Sequence, residues 1–245
     1  GGGPGGPPTP DQARRLPVPP PPPRLVPADA VNGANGGAGA RLRVLGSGSA
    51  RIALGERREL TGVLENAAGE PIAGAQVDVI VHRRVRGATG EIAGAARTDE
   101  AGRFRFVLPP GPSRIVTFGY RVRLSDRAYD RTVSTTVEVA APVSLAVSRT
   151  RVANGETVRF RGAVTGAPPG SRKAVRLEVR VGRAWRTLRS VTLDGRGRFA
   201  ARHRFERTLR TRRYAFRAAV PRDATWPFAD SASRPVAVTV VGRRP

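Results

Sequence analysis

The stretch ARHRFERTLRTRRYAFR, Ala201 to Arg217, holds the densest group of side chains able to bind a charged partner. Paired as a hairpin, its two alternating segments would set Arg202 and Arg204 beside Arg213 and Arg217, with Arg207, Arg210 and Arg212 at the turn. Guanidiniums grouped this way grip carboxylate, sulfate or phosphate with two N–H groups at once, so these seven residues form a candidate polyanion-binding set. Like charges facing each other across strands cost stability, and an anionic partner relieves that cost. Phe205, Tyr214 and Phe216 have core parity, so the exposed rings that stack single-stranded bases are lacking and a nucleic-acid partner is not expected.

Catalytic chemistry finds little to work with. The sequence has no Cys, which removes disulfides, thiolate nucleophiles and cysteine-ligated zinc together. Of the two histidines, His203 shares the parity of Phe199, Ala201 and Phe205 and is expected partly buried. His82 lies opposite to Val77, Val79 and Val81 and is expected exposed. Neither has the companions of a triad or a metal site. The carboxylates are scattered: TDE at 98–100 falls in an expected hairpin turn, and SDRAYD at 125–130 in a loop. Asp99, Asp126 and Asp130 could hold calcium, but no ligand ladder of the D-x-D-x-D-G type accompanies them. We therefore expect no enzyme, no metal and no cofactor. No segment approaches the ~20 apolar residues of a membrane helix, so no membrane span is expected.

The elements that position these residues are strands. Asp-x-x-Gly-Arg-Phe occurs twice, Asp99 to Phe104 and Asp194 to Phe199. An Asp that bonds its own turn, a Gly free to take positive φ and a Phe dropping inward make this a hairpin signature rather than a site. Its exposed members are Arg103 and Arg198. Period-2 alternation runs from Arg41 onward: Leu42 and Val44; Val77, Val79 and Val81; Phe104, Phe106 and Leu108; Val116, Phe118, Tyr120, Val122 and Leu124; Val133, Thr135, Val137 and Val139. After AAP at 140–142 it restarts with Val143, Leu145 and Val147 and continues through six further strands. LTGVLE from Leu60 and FRGAVT from Phe160 correspond at a shift of one hundred residues, and the Gly-Arg-Phe motifs at a shift of ninety-five.

Residues 1–40 mix GGGPGGPP, PVPPPPPRLVP and VNGANGGAGA, stiff proline runs with flexible glycine, and read as a disordered Gly/Pro-rich linker. The fold class is all-β: two tandem antiparallel sandwiches, 41–140 and 141–245, follow that linker. The formal charge is +24 and falls mostly on the second: twenty-four basic residues against six acids, compared with sixteen against eleven in the first. Such a surface attracts acidic polymers over long range, although nearly all of it is Arg and an Arg-, Ala-, Gly-, Pro-rich composition is also what a GC-rich genome produces. Lys173 is the single lysine. It lies in the turn PPGSRKAV and is expected solvated.

GVLENAAGEPIAGAQVDV followed by TDEAGRFRFVLPPGP resembles the carboxypeptidase-regulatory-like, transthyretin-like domains, relatives of the B-type repeats of collagen adhesins. The resemblance rests on Gly62, Gly69, Pro71, Ile72, Gly74, Ala75, Val77, Thr98, Asp99, Gly102, Phe104, Phe106, Leu108, Pro109 and Gly111, and covers about residues 55–125. Many of those repeats carry a Lys–Asn crosslink, which the lysine-free stretch 1–172 cannot form. GRAWRTLRSVTLDGRGRF and YAFRAAVP make the second sandwich resemble bacterial immunoglobulin-like repeats, with Trp185 and Trp226 read as core caps rather than sugar platforms. The resemblances imply fold more than chemistry. The expected function is a non-catalytic structural or adhesive module, spacing or presenting an upstream domain of the same polypeptide on an extracellular or cell-surface protein. The alternative is an accessory module that binds an acidic cell-wall or matrix polymer through the Arg-rich face of the second sandwich.

Overall fold

A computed structural model describes residues 31–37 and 39–242. The described residues are all-β, in two sandwiches. The first comprises β1 (Arg41–Val44), β2 (Ser49–Ala53), β3 (Arg58–Glu65), β4 (Gln76–Arg83), β5 (Gly90–Arg97), β6 (Arg103–Leu108), β7 (Arg114–Tyr120) and β8 (Arg131–Ala140). The second comprises β9 (Val143–Val147), β10 (Arg151–Ala153), β11 (Thr157–Val164), β12 (Ala174–Val181), β13 (Ala184–Thr192), β14 (Arg198–Arg204), β15 (Arg212–Val220), β16 (Ser231–Ala232) and β17 (Val236–Val241).

In each sandwich a three-stranded sheet faces a larger one. In the first, β1-β3-β6 packs on β2-β8-β7-β4-β5; in the second, β14-β11-β9 packs on β10-β17-β15-β12-β13, with β16 added at β15. Pairing is antiparallel except at two edges, where β2 joins β8 and β10 joins β17 in parallel. The alternation seen from Arg41 onward does not report strand direction, so these two edges were not foreseen.

The inward residues bury as their parity requires. Val77, Val79, Val116, Phe118, Tyr120, Val137 and Val139 are fully covered in the first sandwich, and Val158, Phe160, Val175, Leu177, Phe216, Val238 and Val240 almost so in the second. Tilted ring pairs centre the two cores, Phe104 on Phe118 and Phe160 on Phe216, each with centroids 5.0 Å apart. The corresponding glycines have a steric cause. A Cβ on Gly62 would stand 2.1 Å from Cζ of Phe104, and one on Gly162 would stand 2.3 Å from Cζ of Phe199. Only a hydrogen at these positions lets the ring cross the neighbouring strand.

The repeated motif is a turn, as expected. Asp99 accepts from the N–H groups of Ala101 and Arg103, and Asp194 from those of Arg196 and Arg198. Gly102 and Gly197 follow at φ 68° and 72°. The backbone N–H groups of Arg198 and Arg196 hold the Asp194 carboxyl below the usual carboxylate range.

Two boundaries differ from expectation. Most of the stretch read as linker, residues 1–30, lies outside the described residues, but its end belongs to the first sandwich. Asn32 is buried, donating to the carbonyls of Gln76 and Arg121 and accepting from the N–H of Gln76. Tyr120 donates its hydroxyl to the Asn32 carbonyl at 3.0 Å, and burial together with Asp130 pushes that phenol up to about 12. A side-chain amide that closes open backbone groups at a strand end leaves no trace in hydropathy. Conversely, β7 stops at Tyr120; Val122 still packs against the core, as its parity required, but the chain beyond it, Leu124 included, forms a loop laid over the outer face of the sheet. There Asp78 bonds Arg121 at 2.7 Å and the Tyr129 hydroxyl at 3.0 Å.

Candidate functional site

The seven arginines of the Ala201–Arg217 stretch do not form one cluster. The expected hairpin is not made: β14 pairs with β11, whereas β15 pairs with β12 and β17 in the opposite sheet. Phe205 to Thr211 carries the chain across the end of the sandwich instead. Both strands keep their apolar residues inward, so their arginines point to opposite outsides of the molecule. Arg202 and Arg204 lie on the outer face of the three-stranded sheet. Arg213 and Arg217 lie on the outer face of the other, and Arg207 and Arg210 sit on the crossing, which ends at Arg212.

Several of these charges are already engaged. Arg217 binds Glu178 at 2.7 Å and lies 4.4 Å over the ring of Trp185, which places that tryptophan on the sheet exterior, half-covered by a guanidinium. Arg212 lies 5.5 Å over the Tyr214 ring, and Arg204 reaches Glu206 at 3.7 Å. Phe205 and Phe216 are buried, as their parity required.

Where the crossing leaves the sandwich, a hollow of about 300 Å³ opens between Val179, Leu188, His203, Phe205, Tyr214 and Phe216. Its polar members do not assemble a catalytic group. The Thr208 hydroxyl is 3.2 Å from that of Tyr214, and His203 stands edge-on to Phe205 with ring centres 4.8 Å apart. Burial, and then the nearby Arg189, hold the His203 imidazole below its ordinary value against the pull of Glu206. His82, expected exposed, is half-buried against Gly90. Among the described residues, no group of three His, Asp or Glu side chains is placed to hold a metal ion.

The most elaborate arrangement is the seam between the sandwiches, and sequence reasoning missed it. The loop from Pro221 to Asp230 leaves β15 and runs along the first sandwich. Arg86 donates its N–H to the carbonyl of Ala224 at 2.7 Å, and Ser113 donates to that of Pro227 at 2.8 Å. Ala229 donates to the carbonyl of Val139 at 2.8 Å and bridges Ala140 in parallel, extending the pairing of β8. Arg222 and Arg84 converge on Glu138 at 3.2 and 2.8 Å, and Arg51 donates to the carbonyl of Asp230.

Apolar contact closes the rest of the seam. Trp226 and Phe228 are buried edge-to-face at 5.4 Å, and with Ala141, Val164, Val175, Leu193 and Val220 they join the core of the first sandwich in one continuous cluster. Leu54 of the first sandwich packs so closely on the turn at Gly166 that a Cβ there would stand 2.6 Å from its Cδ2. Lys173 corrects an expectation. It is buried, not solvated, because its turn folds against the seam loop: the ammonium lies 5.7 Å from the Trp226 ring and pairs with Asp223. That bond, with help from Thr225, holds the Asp223 carboxyl down to about 2. The loop sequence PRDATWPFAD carries the signal, since two aromatics within a Pro- and Asp-rich connection are more apolar than a solvated loop needs.

No family model matches the chain, and no curated protein matches it. Among solved structures it is similar to the Yersinia pseudotuberculosis adhesin InvE, at 10% identity and TM-score 0.39, over 82% of this chain and 58% of that one. It is similar to a tetra-tandem repeat in the extending region of a large adhesion protein, at 12% identity and TM-score 0.37, over 82% and 49%. It is also similar to native E. coli alpha-2-macroglobulin, at 16% identity and TM-score 0.30, over 86% and 14%. The chain thus spans 14% to 58% of the length of these three structures. At these values none of them bears on function, and the fold rests on the strand pairing above.

Proposed function

We propose that this chain is a non-catalytic structural or adhesive module of a secreted or surface-displayed protein, in which two sandwiches act as one stiff spacer that presents an upstream domain. The observation that carries this is the seam. Three backbone hydrogen bonds, a parallel bridge and a shared apolar cluster join the sandwiches. Independent domains on a string meet through small polar contacts and move relative to each other, whereas a continuous core and sheet-like pairing resist bending. A spacer needs that stiffness, because a flexible chain of the same length samples mostly collapsed conformations. The Gly/Pro-rich residues 1–30 supply a composition suited to a tether ahead of it.

The test is displacement by a flexible equivalent. A small binding domain is fused ahead of Gly1 and displayed on a cell through the C-terminal end. It should capture ligand-coated beads under flow better with residues 41–242 intact than with a Gly/Ser linker of equal extended length. Equal capture by the two would overturn the spacer role.

A further inference from the structure

The two three-stranded sheets share one register and differ in charge. In the first sandwich Gly62 pairs with Phe104 and Glu59 with Val107; in the second Gly162 pairs with Phe199 and Arg159 with Arg202. The outer face of the first carries Arg41, Arg43, Arg103 and Arg105 with two acids among them, Glu65 at 3.0 Å from Arg43 and Glu59 at 3.8 Å from Arg105. In the second, arginine stands in place of Glu59 and again in place of Val107. Arg159, Arg161, Arg198 and Arg202 are all exposed, and among the described residues none has a carboxylate within ion-pairing distance. Acids appear only at the borders: Glu206 reaches Arg204, Glu156 reaches Arg149, and Asp194 closes the turn before Arg198.

The two faces therefore differ in degree: two acids stand among the four arginines of the first, and none stands between Arg159, Arg161, Arg198 and Arg202 in the second. Arg159 directly opposite Arg202 costs the sheet stability in the free protein. That cost is relieved when anions lie between the guanidiniums.

We propose that the outer face of the β14-β11-β9 sheet binds a linear acidic polysaccharide through Arg159, Arg161, Arg198, Arg202 and Arg204. Alternate residues on one strand repeat every ~6.8 Å, so two adjacent strands offer rows of guanidiniums to a chain that bears carboxylate or sulfate at sugar-sized intervals. Hollows open on the face beside Arg159 and Arg202 and beside Arg161 and Arg198. Between the arginines stand only small side chains, Ser144, Ala146, Ala163 and Ala200, which let an extended polymer lie flat. No ring points outward to stack a base, and a flat sheet enters neither groove of a duplex, which disfavours nucleic acid. The site is independent of the spacer role, since it uses no residue of the seam.

Calorimetry on the full chain at moderate salt tests it, with a heparin-like sulfated polysaccharide, a polyuronate and a single-stranded oligodeoxynucleotide as probes. Arg159→Glu restores the charge found at Glu59 and should weaken polysaccharide binding roughly tenfold while leaving the melting temperature unchanged or higher. Arg202→Val, the residue found at 107, should weaken it in the same direction. Arg180→Glu makes the same charge change on the opposite sheet and should weaken it less than about twofold. Equal losses for Arg159→Glu and Arg180→Glu would mean that only the net field acts and would overturn the site. Tighter binding of the oligodeoxynucleotide than of either polysaccharide would overturn the choice of partner.

Discussion

Ala229 donates its backbone N–H to the carbonyl of Val139 at 2.8 Å, so a loop of the second sandwich pairs with the last strand of the first. Loops usually run over a surface and bond to water. This one spends its backbone groups on another sandwich and buries Trp226 at 2% exposure and Phe228 at 5% while doing so. Sheet-like pairing and apolar burial at the same seam fix both distance and angle between the halves.

Trp226→Ala should therefore do more than destabilise. Emptying that site removes a buried indole and the contact it makes with Phe228, a loss of about 3 kcal/mol. Wild-type protein is expected to unfold in one calorimetric transition, because the apolar cluster of the first core runs across the seam into the near end of the second sandwich, next to the cluster that fills the rest of it. The variant is expected to unfold in two, and a single transition shifted down would place the residue in one core alone.

Asp223 gives the seam a pH signature. Its ordinary value of 3.8 is lowered to about 2, chiefly by the Lys173 ammonium, so the folded chain favours the carboxylate. A depressed carboxyl contributes stability above its unfolded value, and that contribution disappears as pH falls through the folded value. The gap in melting temperature between wild type and Asp223→Asn should stay constant above about pH 4 and close toward pH 2. The effect is small because the carboxylate side chain is half exposed. A gap independent of pH would separate the residue's role from its charge.

His203 acts in the same direction, at higher pH. Its imidazole is held below the ordinary 6.5, mainly by burial, so the unfolded chain binds a proton more readily than the folded one. Stability then rises with pH up to about 6.5 and levels off above it. Relative to His203→Gln, wild type should lose ground on acidification below that point, as urea midpoints at pH 5 and pH 8 would register.

Much of the fold was legible because alternation is a local property. Val77, Val79 and Val81 announce one face whatever lies opposite, and the parity of Phe205 and Phe216 placed both inside. Partner choice is not local. The segments bearing Arg202 and Arg213 follow one another and look like a hairpin, yet each pairs with strands distant in sequence, so the arginines separate. Lys173 was misplaced for a similar reason: a turn rich in Pro and Gly reads as solvated until another loop covers it. The register correspondence between the halves was visible, but not that Glu59 and Arg159 would face outward from matching sheets.

Rigidity across the seam is tested most directly by an interspin distance. The chain has no cysteine, so Glu100→Cys in the first sandwich and Arg207→Cys in the second give two unique spin-label sites, both exposed. Pulsed electron–electron double resonance on the doubly labelled chain should return one narrow distance distribution, broadened by Trp226→Ala. A broad distribution in the otherwise unaltered chain would contradict a single stiff spacer.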